Sequence, residues 1–290
     1  MARQRLILRV LMASTAAIVA ACLGIAPLVA QQDGPPPVTG LHAPLDALLD
    51  LYVRDGLVYY RALAGDRRKL DAYIAALDGP AARDIANRPK DEQIAFWLNA
   101  YNATVLRSVI DNYPINGHAA SYPSNSLRQV PGVFEKAIHH IAGRSLTLDQ
   151  IETTVIAGFH DPRLYLALGR GAVGSPRLRS EAYTADTLGA ALSSVASEFA
   201  TGGTQLDISE ATGTISLTAV LSWRQADFVA AYADGADARY KQRSPLERAL
   251  MAFITPNLLP HEREFVEQNT FKVQFSPFDW RLNDLTGGRP

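Results

Sequence analysis

From Asp91 to Ile110 the residues Ile94, Trp97, Leu98, Tyr101, Val105 and Val109 fall on one helical stripe. An apolar stripe of that width has to be covered, so this helix forms one wall of a core. Asp91 and Glu92 stand in its first turn, where the helix dipole favours acid. Asn112, Tyr113 and Pro114 end it, because the residue before proline avoids helical angles. Asn99 and Asn102 sit within the helix, about 60° apart by helical geometry and beside the stripe. A half-buried asparagine needs partners for its donors and acceptor. Each is therefore kept to fix a neighbouring loop or to orient a reacting group, and the pattern favours the first.

Around this helix the spacing predicts an α+β domain, predominantly helical, with a small antiparallel sheet. Helices are expected at 46–53, 66–77, 148–157, 184–200, 226–233 and 245–253. Thr147 is placed to cap the third of these. Short strands are expected at 56–60 and 137–141, the latter turning at Gly143 into 144–146. Segments 205–208 and 214–217 flank turn residues and form a hairpin, and 271–275 is a last strand. Residues 114–133, rich in Pro, Asn, Ser and Gly, are expected as loop.

The first nine residues are basic, with Arg3, Arg5 and Arg9, and residues 10–30 run without a charge to Ala30. That order is the pattern of a secretory signal cut after Ala30, giving a periplasmic or secreted protein. Two alternatives exist: Cys22 lipidated behind Val19, Ala20 and Ala21, or an uncleaved membrane anchor. A proline-rich linker follows over 31–43, and one domain over 44–290. Cys22 is the single cysteine, so a chain cut after Ala30 has no thiol and forms no disulfide.

The chain holds 28 basic and 29 acidic side chains; without the three leading arginines the balance is 25 against 29. A mildly acidic chain without a basic block offers no footprint for nucleic acid. Membrane contact is expected only through a lipidated Cys22 or an uncleaved signal. The partner expected is a small molecule or an envelope protein. Neither a metal constellation nor a nucleotide motif is visible, so no cofactor is expected; His261 lacks the second histidine of a zinc-protease pattern.

A second segment, 161–179, runs from an apolar element into Gly169, Gly171 and Gly174, followed by Ser175 and Pro176. Such glycines let backbone approach other atoms closely and present Ser175 on a turn. One reading makes Ser175 a nucleophile with His160 as its base; the plainer one makes it a capping serine. The flanking residues lack the second glycine of a nucleophile elbow. Arg163, Arg170, Arg177 and Arg179 form a cluster that suits a carboxylate or phosphate. The simpler expectation is a solvated edge pairing with Glu181 and Asp186.

The helix segment 93–102 (QIAFWLNAYN), the Asp161-Pro162-Arg163 triplet, 182–185 (AYTA), and Leu221 to Trp223 with Asp227 and Phe228 occur in an order that resembles the domain-of-unknown-function 547 family. The resemblance covers roughly Leu45 to Tyr232. Asn99, Asn102, Glu152 and Pro176 match the family pattern. It implies a histidine where this chain has Tyr165, and cysteines where it has Arg170 and Ser175. A Cys, His and Asn set invites analogy with thiol acyl-transfer enzymes, whose thiolate needs an adjacent imidazole. Here both the thiol and that histidine are missing.

Two functions follow. The first is an exported ligand- or partner-binding protein that has lost the family-type Cys/His site, with Asn99, Asn102, Glu152, Arg163 and Arg170 around its ligand. The alternative is a serine-dependent hydrolase or acyl transferase with Ser175 as nucleophile and His160 as base. The first is preferred, and with it the absence of catalysis.

Overall fold

The computed structural model describes residues 40–286, so the signal, the lipidation alternative and most of the linker lie outside the described residues. Among the described residues no helix is long and apolar enough to cross a membrane. Gly40–His42 form a short turn that leads directly into the helix Ala43–Tyr52.

The helix Lys90–Ile110 is the centre of the domain. It is more deeply buried than its stripe predicts: from Ile94 to Ile110 every residue is buried except half-buried Arg107. Helices Tyr60–Gly65 and Arg68–Ala76 and the turns after Thr147 pack against it. Leu45, Leu48, Leu70, Tyr73, Leu148, Ile151 and Leu164 complete that core. Polar residues inside the helix are therefore enclosed on all sides.

The expected helix 148–157 is not continuous. Thr147 and Gln150 form a capping box over one turn, Leu148–Gln150. The chain then widens into a π-helix, Ile151–Ile156, and tightens again over Ala157–Phe159. Thr153 and Thr154 donate their hydroxyls to the carbonyls of Asp149 and Gln150, four residues back. That back-bonding competes with the regular ladder, and the widened stretch carries Glu152. The helix expected from 184 begins only at Leu188, because Thr184 and Thr187 bond each other in a turn before it.

His139–Ile141 and Arg144–Leu146 form the expected hairpin. The strand expected at 56–60 is limited to Leu57–Val58 and pairs with Val53–Arg54, so the first helix ends at Tyr52 and Tyr60 starts another. The third sheet pairs Leu206–Ser209 antiparallel with Thr214–Thr218. Its last strand, Lys272–Ser276, lies parallel to Thr214–Thr218, with Leu217 opposite Phe275. The sheet is thus mixed rather than wholly antiparallel. A parallel partner requires a long crossover, and the helices Ala219–Trp223, Gln225–Tyr232, Pro245–Ile254 and Pro260–Glu267 supply it. The domain is α+β and predominantly helical.

Candidate functional site

Both helix asparagines hold backbone. Asn102 Nδ2 donates to Ala167 O at 3.0 Å, and its Oδ1 accepts from Gly169 N at 2.8 Å. One turn earlier, Asn99 Nδ2 donates to Tyr183 O at 2.8 Å, and its Oδ1 accepts from Tyr183 N at 2.9 Å. The two side chains are 1% and 4% exposed, Asn99 being the more enclosed. Each carboxamide satisfies a donor and an acceptor that would otherwise be buried and unpaired. Neither lines the two cavities described below.

The glycine-rich turn is pressed from two sides. Gly171 has φ +65°, and a Cβ there would meet Val109 Cγ2 of the central helix at 3.2 Å. Val173 N donates to Arg281 O and Gly174 N to Asp279 O, each at 2.8 Å. A Cβ on Gly174 would stand 2.5 Å from Asp279 N, so only glycine permits that approach. Ser175 Oγ accepts the Arg170 amide at 2.9 Å. Gln205 Nε2 donates to the carbonyls of Gly174 and Ser175 at 3.3 and 3.2 Å. Ser175 opens on a cavity of about 390 Å³ that no histidine lines. His160, in the left-handed region at φ 57°, is exposed after the 157–159 turn. Among the described residues no hydrogen bond joins it to Ser175, so the contact that the alternative serine reading needs is not formed.

Arg170 departs from the solvated edge that its neighbours predict. Arg163 pairs locally with Asp161 at 2.6 Å. Arg179 pairs with Glu181 at 3.5 Å, and Glu198 rather than Asp186 is the second acid, shared with Arg177. Arg170 turns inward instead and is 2% exposed. Its Nη2 donates to Glu152 Oε1 at 2.7 Å, and its Nη1 donates to Leu168 O at 3.2 Å. Arg224 Nε and Nη2 donate to the same Glu152 oxygen at 3.0 and 2.8 Å, while Tyr101 OH donates to Oε2 at 3.3 Å. Burial alone would raise the Glu152 pKa; the fields and hydrogen bonds of Arg170 and Arg224 outweigh it and hold the carboxyl below its ordinary value. Tyr165, where the resemblance implies histidine, donates its hydroxyl to Asp227 Oδ2 at 2.8 Å. Burial, then Asp227, pushes that phenol well above its ordinary pKa, so it is no base at neutral pH.

Tyr101, Glu152, Arg170 and Arg224, but not Tyr165 or Asp227, line a second cavity of about 190 Å³, together with Phe134, Trp223 and Trp280. Trp223 and Trp280 stack at 6.1 Å with an interplanar angle of 16°. Three guanidiniums, of Arg128, Arg170 and Arg224, face two carboxylates, of Asp149 and Glu152. Arg128 lies over the Phe134 and Trp280 rings at 4.5 and 4.7 Å and pairs with Glu135 through Nη1. Its Nε is buried without a partner. Arg128, Arg224, Gln205 and Trp280 carry no motif that marks them in the sequence; they meet the site through contacts across the chain. Trp223 and Asp227 stand in the family-like element, but nothing local shows what they face. Among the described residues no group of three or more His, Cys, Asp or Glu side chains is arranged to hold a metal ion.

Residues 85–200 match the family model described as "Protein of unknown function, DUF547". The matched stretch includes Asn99, Asn102, Glu152, Arg170 and Ser175 and stops short of Gln205 and Arg224. No curated protein and no solved structure matches the chain.

Proposed function

Starting from a chain whose residues 85–200 carry the DUF547 family segment, we propose that the protein is an exported, non-catalytic binding domain for a small carboxylate. The ligand sits in the cavity between Arg128, Arg224 and the tryptophans. One observation carries this reading: Arg128 Nε is a buried guanidinium donor with no acceptor, in a cavity that also holds partly exposed Arg224. Guanidinium forks match a planar carboxylate, and such charge-assisted bonds are the strong ones. Trp223, 42% exposed, and Trp280 offer flat apolar faces for the rest of the molecule. Arg170 stands where the resemblance implies a cysteine and is held by Glu152, which supports binding over thiol chemistry. Export is supported by the basic head and uncharged run of residues 1–30.

Benzoate titrated against the protein's tryptophan fluorescence tests the site, with benzamide as the neutral control. Benzoate should perturb the emission saturably and benzamide should not. Arg128→Gln and Arg224→Gln should each weaken benzoate by about 10- to 100-fold, the worth of one charge-assisted hydrogen bond. Equal responses to benzoate and benzamide, or no response to either, would remove the reading.

The serine-hydrolase alternative makes a contrasting prediction. Incubation with a fluorophosphonate should leave the intact mass of the mature protein unchanged, since Ser175 Oγ is held by the Arg170 amide and lacks a base. An adduct that disappears in Ser175→Ala would establish an activated serine instead. The same spectrum reads the amino terminus: a mass beginning at Gln31 supports export with cleavage, and a lipidated Cys22 supports the lipoprotein route.

A further inference from the structure

The cavity beside Ser175 shares no lining residue with the arginine–tryptophan cavity. At about 390 Å³ it lies within the usual range for small-molecule sites. We propose that it is a second ligand site, which takes a neutral molecule with an apolar body and an amide group.

Three observations select that class. First, Gln205 is 6% exposed and lines the cavity. Its Nε2 is committed to two carbonyl oxygens, Gly174 O and Ser175 O, which fixes which way the carboxamide faces. Its Oε1 is buried with no partner. Buried acceptors are ordinarily satisfied, so a matching occupant brings an N–H donor. Second, the Ser175 hydroxyl accepts from the Arg170 amide and has no protein acceptor for its own proton among the described residues. An occupant with a carbonyl oxygen satisfies it, and an amide offers N–H and C=O together.

Third, the surroundings oppose a charged ligand. Leu57, Leu166, Ala172, Val195 and Phe199 give apolar walls. At the rim, Arg177 is balanced by Asp55 and Glu198, each at 3.6 Å. No unpaired charge is thus left to select an ion. The site stands independently of carboxylate binding in the other cavity, and either proposal can fail alone.

The test is saturation-transfer NMR with hexanamide, N,N-dimethylhexanamide and hexanoate as probes, on the wild type, Gln205→Leu and Val195→Phe. Hexanamide should bind the wild type about tenfold more tightly than its dimethyl analogue, which lacks the donor. Hexanoate should not compete with it. Gln205→Leu should erase the preference between the two amides. Val195→Phe fills the cavity with an apolar ring on the helix Leu188–Thr201 and should abolish binding of both. Circular dichroism and cooperative melting establish that each variant is folded. Should Gln205→Leu fail to fold, the probe pair and Val195→Phe still decide the matter. Absence of transfer from hexanamide to the wild type, equal affinity for the two amides, or binding that survives Val195→Phe would each overturn the proposal.

Discussion

Glu152→Gln is expected to destabilise the domain by about 3–5 kcal/mol, the usual result of removing one partner from a buried ion pair. Glutamine keeps the size of the side chain but not its charge. Arg170, 2% exposed, would then keep a guanidinium in the core with no counter-charge on its Nη2. Urea unfolding of the wild type, Glu152→Leu, Arg170→Met and the Glu152→Leu/Arg170→Met double variant measures this as a cycle, with Glu152→Gln measured beside it. The double variant should recover most of the loss, because an apolar replacement removes both desolvation terms together. A single-variant loss under about 1 kcal/mol would mean that the cluster behaves like a solvated surface pair.

The pH dependence follows from the same group. Glu152 is more acidic folded than unfolded, so its contribution is complete above its unfolded pKa, near the ordinary 4.5, and is lost as pH falls through the lower folded value. The stability gap between wild type and Glu152→Gln should therefore be widest near neutral pH and narrow in acid.

That such a cluster exists could not be read from residue spacing. The central helix was legible because its stripe, acidic first turn and terminal Asn112-Tyr113-Pro114 are local signals that agree. The hairpins at 139–146 and 206–218 are legible for the same reason, each being closed by its own turn residues, whereas the pairing of Val53–Arg54 with Leu57–Val58 is not. The spacing puts Arg170 on a solvated edge because Glu152, which it shares with Arg224, is far off in sequence, and nothing in a run of arginines tells which one turns inward. The parallel pairing of Lys272–Ser276 with Thr214–Thr218 is equally non-local. The helix Pro260–Glu267 is short and mostly polar, with Phe265 and Val266 its buried residues, so its apolar content is too small to mark it in the sequence. Glu152 stands out in the sequence only through the resemblance, and its π-helical setting has no local signal.

Asn102→Leu is the second large effect: about 2–6 kcal/mol of lost stability, at roughly 1–3 kcal/mol for each buried group left unpaired. The groups are Ala167 O and Gly169 N, which no other described side chain serves. Asn99→Leu should cost a similar amount through Tyr183 O and N. The two variants should differ in binding, however. Asn102 holds the segment that leads into Arg170, whose Nη1 bonds Leu168 O between the two residues clamped. Asn99 holds Tyr183, which lines neither cavity. Under conditions where both variants remain folded, benzoate affinity should therefore fall in Asn102→Leu and hold in Asn99→Leu. Asn102→Asp separates shape from hydrogen bonding: it preserves the acceptor for Gly169 N but turns a carboxylate oxygen toward Ala167 O, so it should lose nearly as much stability as leucine. If instead Asn99→Leu and Asn102→Leu weaken benzoate equally, the loss is a general loosening of the core, and the clamp on residues 167–169 has no special part in positioning Arg170.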